Sequence, residues 1–269
     1  MDAVISSFQI PVKPQVLTDI QAVMSVTEPD IEQLAGIISS DVGLSAAILK
    51  IINSPFYGMN RRISEIKQAV MMLGLKTIEG LVTALLLKSS IRGDACISLE
   101  RFWDDSLDIA NAMSFIGNKI KNKIPVEMLY TIGLFHNCGI PLLALKYSDY
   151  KELLSSANSD GCNSISLEEK AYQTNHAVIG YYVASSWHLP KDVCNIVLRH
   201  HELSILDNIN GNQEQLAFAA LKAAENMVEK IKRFNTAPDW TEVEEGVLNT
   251  LGISALEYAD LEEDYIELL

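Results

Sequence analysis

Apolar residues recur three and four positions apart in one segment after another of this chain, a spacing that suits helices and leaves little room for a sheet. Ile31, Leu34, Ala35 and Ile38 form an i, i+3, i+4, i+7 stripe behind Pro29-Asp30. Val16, Leu17, Ile20, Val23 and Met24 follow the same period after Pro14, a residue suited to opening a helix. A third stripe, Leu44, Ile48, Ile51 and Ile52, starts after Asp41 and must stop at Asn53-Ser54-Pro55. The residue before a proline is driven out of the helical region. A fourth carries Ile66, Ala69, Val70 and Leu73 and meets Gly74, and a fifth runs from Ile78 to Leu87. Nowhere does apolar and polar character alternate with period two between hairpin turns, so no strand is expected.

After a connection at Ser89–Ser98, further helices are predicted over Arg101–Lys121, Val126–Cys138, from near Ser166, His176–Trp187, Lys191–His201 and Gln213–Arg233. Ser166 with Glu169, and Ser254 with Glu257, have the spacing of reciprocal helix caps. Asn235–Asp239 reads as a linker into a short acidic helical tail.

Charge narrows the function classes. The 269 residues hold 21 Lys and Arg against 35 Asp and Glu, a net charge of −14. No Lys or Arg follows Arg233, and the segment from Asp239 carries ten acidic residues, so the rest of the chain is near −4. A field of this sign repels a phosphate backbone, so direct nucleic-acid binding is not expected. The tail is either a solvated helical face or a docking surface for a basic partner. No run approaches the roughly 20 uncharged apolar residues of a bilayer span, so no membrane association is expected. Met1–Ile5 lacks the basic start of a secretory signal. Cys96, Cys138, Cys162 and Cys194 are widely spaced, as expected of reduced thiols in a cytoplasmic protein.

Two motifs carry chemistry. In Asn53-Ser54-Pro55-Phe56-Tyr57-Gly58 a helix ends, the chain turns, and two aromatics are delivered from a loop. Such aromatics plug a core, or Tyr57 contacts a partner. In Gly133-Leu134-Phe135-His136-Asn137-Cys138-Gly139 a helical histidine is followed by an amide where a carboxylate would make a metal-binding pair. His176 and His200 lie on apolar helical faces and would converge with His136 on one interior point, where Asp105 would join them. There is no Gly-rich phosphate loop, nucleophile elbow or His-Glu-x-x-His. No motif implies a cofactor.

The ordered series Ile37–Leu44, Leu49–Gly58, Gln68-Ala69, Leu73-Gly74, Phe102-Trp103, Gly133–His136, His176, Gly180, Trp187–Pro190 and His200-His201 resembles the HDOD family, bacterial regulatory domains related to HD-type metal-dependent phosphohydrolases. The match spans about residues 8–206. The resemblance implies an all-α fold, one unit over 1–269 in which an N-terminal helical bundle (1–92) packs against a degenerate HD-like bundle (93–238), followed by an acidic helical tail (239–269). It places the relict site at Asp105, His136, Asn137, His176, His200 and Glu225. Two of these depart from the catalytic pattern: Asn137 stands where the bridging Asp belongs, and Asp105 where the first histidine belongs. Glu225 corresponds loosely to the final Asp. Paired cations need an anionic bridge, so no resident metal is expected. If there is one, its ligands would be His136, His176, His200 and Asp105. The alternative for these histidines is a hydrogen-bonded core cluster.

The function this implies is a non-enzymatic cytoplasmic signalling module. It would act by contact with other signalling proteins, with a ligand in the old cavity as a possible modulator. The alternatives are a metal-dependent nucleotide phosphodiesterase or phosphohydrolase, and a small-molecule sensor that binds a nucleotide. With no sensor or output domain in view, input or output is expected in a separate molecule.

Overall fold

The computed structural model describes residues 7–57, 61–120, 124–160, 164–207 and 212–269. Among these, every regular element is helical. The all-α expectation holds. The chain divides into two compact units: Pro11–Ser90 with Ile266–Leu269, and a larger unit of the remainder up to Tyr265.

The smaller unit holds α1 (Gln15–Met24), α2 (Ile31–Ser39), α3 (Val42–Ile52), a 3-10 turn at Pro55–Tyr57, α4 (Ile66–Leu73) and α5 (Leu75–Ser90). Aspartates start two of these. Asp30 accepts from the N–H of Glu32 at 2.8 Å, and Asp41 from that of Leu44 at 2.9 Å, each satisfying an amide the helix cannot. The predicted stripes face inward: Leu17, Ile20, Leu34, Ile38, Ile48 and Ile52 are fully buried. Asn53 ends α3 by clamping a distant segment. Its Nδ2 donates to the carbonyls of Leu49 and Ile63 at 2.7 and 2.8 Å, while its Oδ1 accepts from the Ile63 N–H at 2.8 Å. An aspartate could not make the two donations. Phe56 and Tyr57 lie edge to face at 5.0 Å between centroids, both half-buried. Gly58 lies outside the described residues. Gly74 turns α4 into α5 with φ of +81°, where other residues are strained.

The larger unit holds α6 (Leu99–Lys119), α7 (Val126–Phe135), α8 (Ile140–Lys146), α9 (Tyr150–Asp160), α10 (Ser164–Tyr172), α11 (His176–Ser186), α12 (Lys191–Arg199), a 3-10 turn at Leu203–Asp207, α13 (Gln213–Arg233), α14 (Trp240–Leu251) and α15 (Ala255–Glu267). α13 is its centre, with Phe218, Ala219, Ala220, Leu221, Ala223, Ala224 and Met227 fully buried. By length and composition alone, Val126–Lys146 is apolar enough to cross a membrane, contrary to the sequence expectation. Here it is the fold's own interior, and most of it is buried.

Two glycines let helices approach closely enough to form the site. A Cβ on Gly133 would stand 2.4 Å from the Ala110 Cα, so α7 lies directly on α6. A Cβ on Gly139 would stand 2.1 Å from the His176 carbonyl oxygen. The start of α11 thus crosses the His136–Gly139 turn at a distance only glycine permits.

Helices α8 and α9 are not marked by the sequence pattern. Pro141 sits in the first turn of α8, where its missing N–H costs nothing, and α9 is Ser- and Asn-rich. The acidic tail forms two helices rather than one short one. Trp240 stacks on Tyr258 at 5.0 Å, and the Tyr258 hydroxyl donates to the Ala223 carbonyl on α13 at 2.9 Å. Ser254 and Glu257 cap each other as their spacing requires: the Ser254 N–H donates to Glu257 at 2.7 Å, and the Glu257 N–H to the Ser254 Oγ at 3.2 Å. Cys96, Cys138 and Cys194 are free thiols; Cys162 lies outside the described residues.

Candidate functional site

α7 ends at Phe135, so His136 caps it and Asn137 begins a tight turn. His176 opens α11, and His200 caps α12 with His201 next along the chain. Each of the first three imidazoles is oriented through its Nδ1. His136 Nδ1 meets the Gly133 carbonyl at 2.9 Å, and His200 Nδ1 meets the Val197 carbonyl at 2.8 Å. His176 Nδ1 lies 2.9 Å from both oxygens of Glu168. An oxygen acceptor at Nδ1 assigns the proton to Nδ1 and leaves the lone pair on Nε2.

Those lone pairs face one another. His176 Nε2 lies 3.2 Å from His200 Nε2 and 3.0 Å from His201 Nε2, and the three donor atoms lie within 4.8 Å of each other. Burial first, and then their mutual repulsion, push His200 and His201 well below the usual imidazole range. Burial also pushes His136 down to about 3, helped by the Lys222 charge and opposed by the Gly133 carbonyl. Opposed lone pairs on His176 and His200 at this distance are relieved by a proton donated from His201 Nε2 or by a cation held between the rings.

Asn137 bridges this cluster to His136. Its Nδ2 donates to His136 Nε2 at 2.8 Å, which turns its Oδ1 to within 3.1 Å of His200 Nε2. Glu168 is fully buried and also accepts from the Tyr150 hydroxyl at 2.7 Å and the His176 N–H at 2.7 Å. Burial would raise its carboxyl, but His176 outweighs that and holds it below the ordinary range. Beyond His136, Glu225 Oε1 lies 3.6 Å from its Nε2, and Glu225 Oε2 accepts from Lys222 at 3.0 Å.

The predicted residues divide accordingly. His136, Asn137, His176, His200 and Glu225 come together. Asp105 does not, which corrects the expectation that it joins the histidines. Both its oxygens are taken at the C-terminal end of α13, by Lys232 at 2.6 Å and Arg233 at 2.7 Å. Tyr57 belongs to the smaller unit. His201 was not among the expected site residues; α12 ends at Arg199, and helical phase has no meaning past the cap. Glu168 and Lys222 were missed. A lone acid or lysine inside a helical stripe gives no signal that its charge is buried.

This donor set fits one metal ion and not two. Three neutral imidazoles with an amide oxygen suit a borderline divalent ion such as zinc, and Glu168 supplies the carboxylate that orients such a histidine from behind. A second ion would need a bridging anion, and Asn137 offers a neutral oxygen.

A family model for the HDOD domain matches residues 10–203. The chain belongs to the HDOD family. An HDOD domain protein of unknown function from Geobacter sulfurreducens shares the fold, with a TM-score of 0.75 at 20% identity, covering 99% of this chain and 94% of that one. A protein from Marinobacter aquaeolei, provisionally described as a signal transduction protein, aligns with a TM-score of 0.74 at 17% identity over 99% of this chain and 61% of its own. A provisionally described phosphohydrolase from Shewanella amazonensis aligns at 0.73 with 19% identity, covering 96% and 90%. Among curated proteins, an uncharacterised protein of Treponema pallidum (strain Nichols) is 25% identical over 195 residues, 72% of this chain. This HDOD chain spans only 38% of that relative's length.

Proposed function

We propose that this HDOD protein is a non-catalytic, cytoplasmic module of bacterial signal transduction that acts by contacting other proteins. The Asn137 amide carries the reading. It donates to His136 on one side and turns its oxygen to within 3.1 Å of His200 on the other, in the place where hydrolysis by paired metals needs a bridging carboxylate. No neighbouring acid compensates: Asp105 is held by Lys232 and Arg233, and Glu225 by Lys222. A ligand at the histidine cluster would bias the module rather than be turned over. Two separate features offer contacts to partners: Tyr57 in the smaller unit and, in the larger unit, the exposed acids of α14 and α15, Glu242, Glu245, Asp260 and Glu263, which suit a basic partner. The negative net charge argues against nucleic acid.

A metal-dependent phosphohydrolase is the second reading, favoured by the convergence of three Nε2 atoms. A phosphodiesterase screen with added manganese or iron separates the two. Silence supports the regulatory role, and turnover lost in His176→Ala supports the enzyme.

A further inference from the structure

Lys222 lies in the middle of α13 with its side chain 2% exposed, flanked by Phe218, Leu221, Ala223 and Ala224, all fully buried. A buried ammonium is costly unless its charge is matched. Here two carboxylates match it: Nζ lies 3.0 Å from Glu225 Oε2 and 2.8 Å from Asp239 Oδ2. The same Glu225 turns its other oxygen to His136 Nε2 at 3.6 Å. The ammonium is therefore bracketed by two carboxylates, one of which also faces His136. That is the donor chemistry of a divalent cation, although a metal would draw the oxygens in by nearly an ångström, to about 2.0–2.6 Å. The same His136 Nε2 accepts from Asn137, whose oxygen faces the histidine triad.

We propose that the Lys222 ammonium is a built-in substitute for a second metal ion, so that the pocket accepts one ion at His176, His200 and His201 and no more. This rests on the one-ion fit of the triad and deepens the non-catalytic reading. An ammonium carries one charge and has no empty orbital. It can neutralise Glu225 and Asp239, but it can neither polarise a phosphoryl oxygen as a Lewis acid nor generate a bound hydroxide. Asn137 removes the bridge between two ions, and Lys222 takes the place of one of them.

Equilibrium dialysis of the full chain against zinc tests this. The wild type is expected to bind one equivalent, Lys222→Arg one, and Lys222→Met two. Lys222→Met combined with Glu225→Gln is expected to return to one. In chelator, Lys222→Met should melt below the wild type and recover when zinc is added, because the ion replaces the lost charge. Should this variant not fold in chelator, refolding in excess zinc is expected to restore its helical circular dichroism. The proposal is overturned by zero or two equivalents in the wild type, by a single equivalent in Lys222→Met, or by a Lys222→Met defect that zinc does not repair. Hydrolysis by the zinc-loaded wild type is a separate outcome: it would refute the non-catalytic reading while leaving the metal count to decide the role of Lys222.

Discussion

Glu168 holds His176 at three points: both its oxygens lie 2.9 Å from Nδ1, and one also accepts the His176 backbone N–H at 2.7 Å. A fully buried carboxylate thus fixes both the start of α11 and the direction of the imidazole. Removing it strands the Tyr150 hydroxyl and two donors of His176. Glu168→Ala is expected to cost roughly 3–5 kcal/mol, from three buried donors left unpaired at about 1–3 kcal/mol each, measured by urea denaturation. A cost under 1 kcal/mol would mean that the contact is incidental.

The depressed histidines make stability pH-dependent. His136 titrates near 3 in the folded chain, against about 6.5 when unfolded. Between those values the unfolded chain binds a proton that the folded one refuses, so stability falls as the pH drops from about 6.5 towards 3. The loss is on the order of 1 kcal/mol per pH unit for each such histidine, and His200 and His201 add to it. Thermal melts from pH 7.5 downward are expected to steepen below 6.5, and His136→Gln should flatten the slope. Glu168 has the depressed pKa of a paired carboxylate, so its contribution is present above about 4.3 and fades only at lower pH.

Gly139→Ala places a Cβ 2.1 Å from a backbone oxygen of α11. Backbone cannot swing aside as a side chain can, so the helix must shift. A loss of roughly 1–3 kcal/mol is expected, together with weaker zinc binding because His176 moves away from His200. Wild-type zinc affinity in this variant would show that the crossing does not set the triad.

Asp105→Ala is expected to leave zinc binding unchanged and to cost no more than about 1 kcal/mol, as for partly exposed ion pairs. His201→Ala should weaken zinc binding. At 100 times its dissociation constant, zinc should stabilise the wild type by about 2.7 kcal/mol, and this increment should shrink in His201→Ala and persist in Asp105→Ala. The opposite pattern would return Asp105 to the site.

The fold was legible because helical stripes such as Leu34, Ala35 and Ile38 face inward in the structure. Helices α8 and α9 were not, since one carries a proline in its first turn and the other is polar. The site was legible in part. His136, Asn137, His176 and His200 stand in recognisable company, and their convergence follows from apolar helical faces. His201 was missed because it lies past the helix end at Arg199, where apolar periodicity carries no information. Asp105 was assigned because it stands where the family's first histidine belongs, yet in the structure both its oxygens are turned to Lys232 and Arg233. Lys222 gave no sign, because a lysine among alanines in a helix is ordinarily a solvated one.

Asn137→Asp alone is expected to create no hydrolase, since Lys222 still occupies Glu225 and Asp105, where the family's first histidine belongs, stays turned to Lys232 and Arg233. Phosphodiesterase activity in that single variant would place the whole deficit at one atom.

The most direct measurement is the initial rate of hydrolysis of a chromogenic phosphodiester by the wild type in the presence of manganese or iron, set beside a His136→Ala, His176→Ala double variant. Equal rates for the two proteins are expected, because no anion bridges a metal pair. A metal-dependent rate present in the wild type and absent from the double variant would contradict the account.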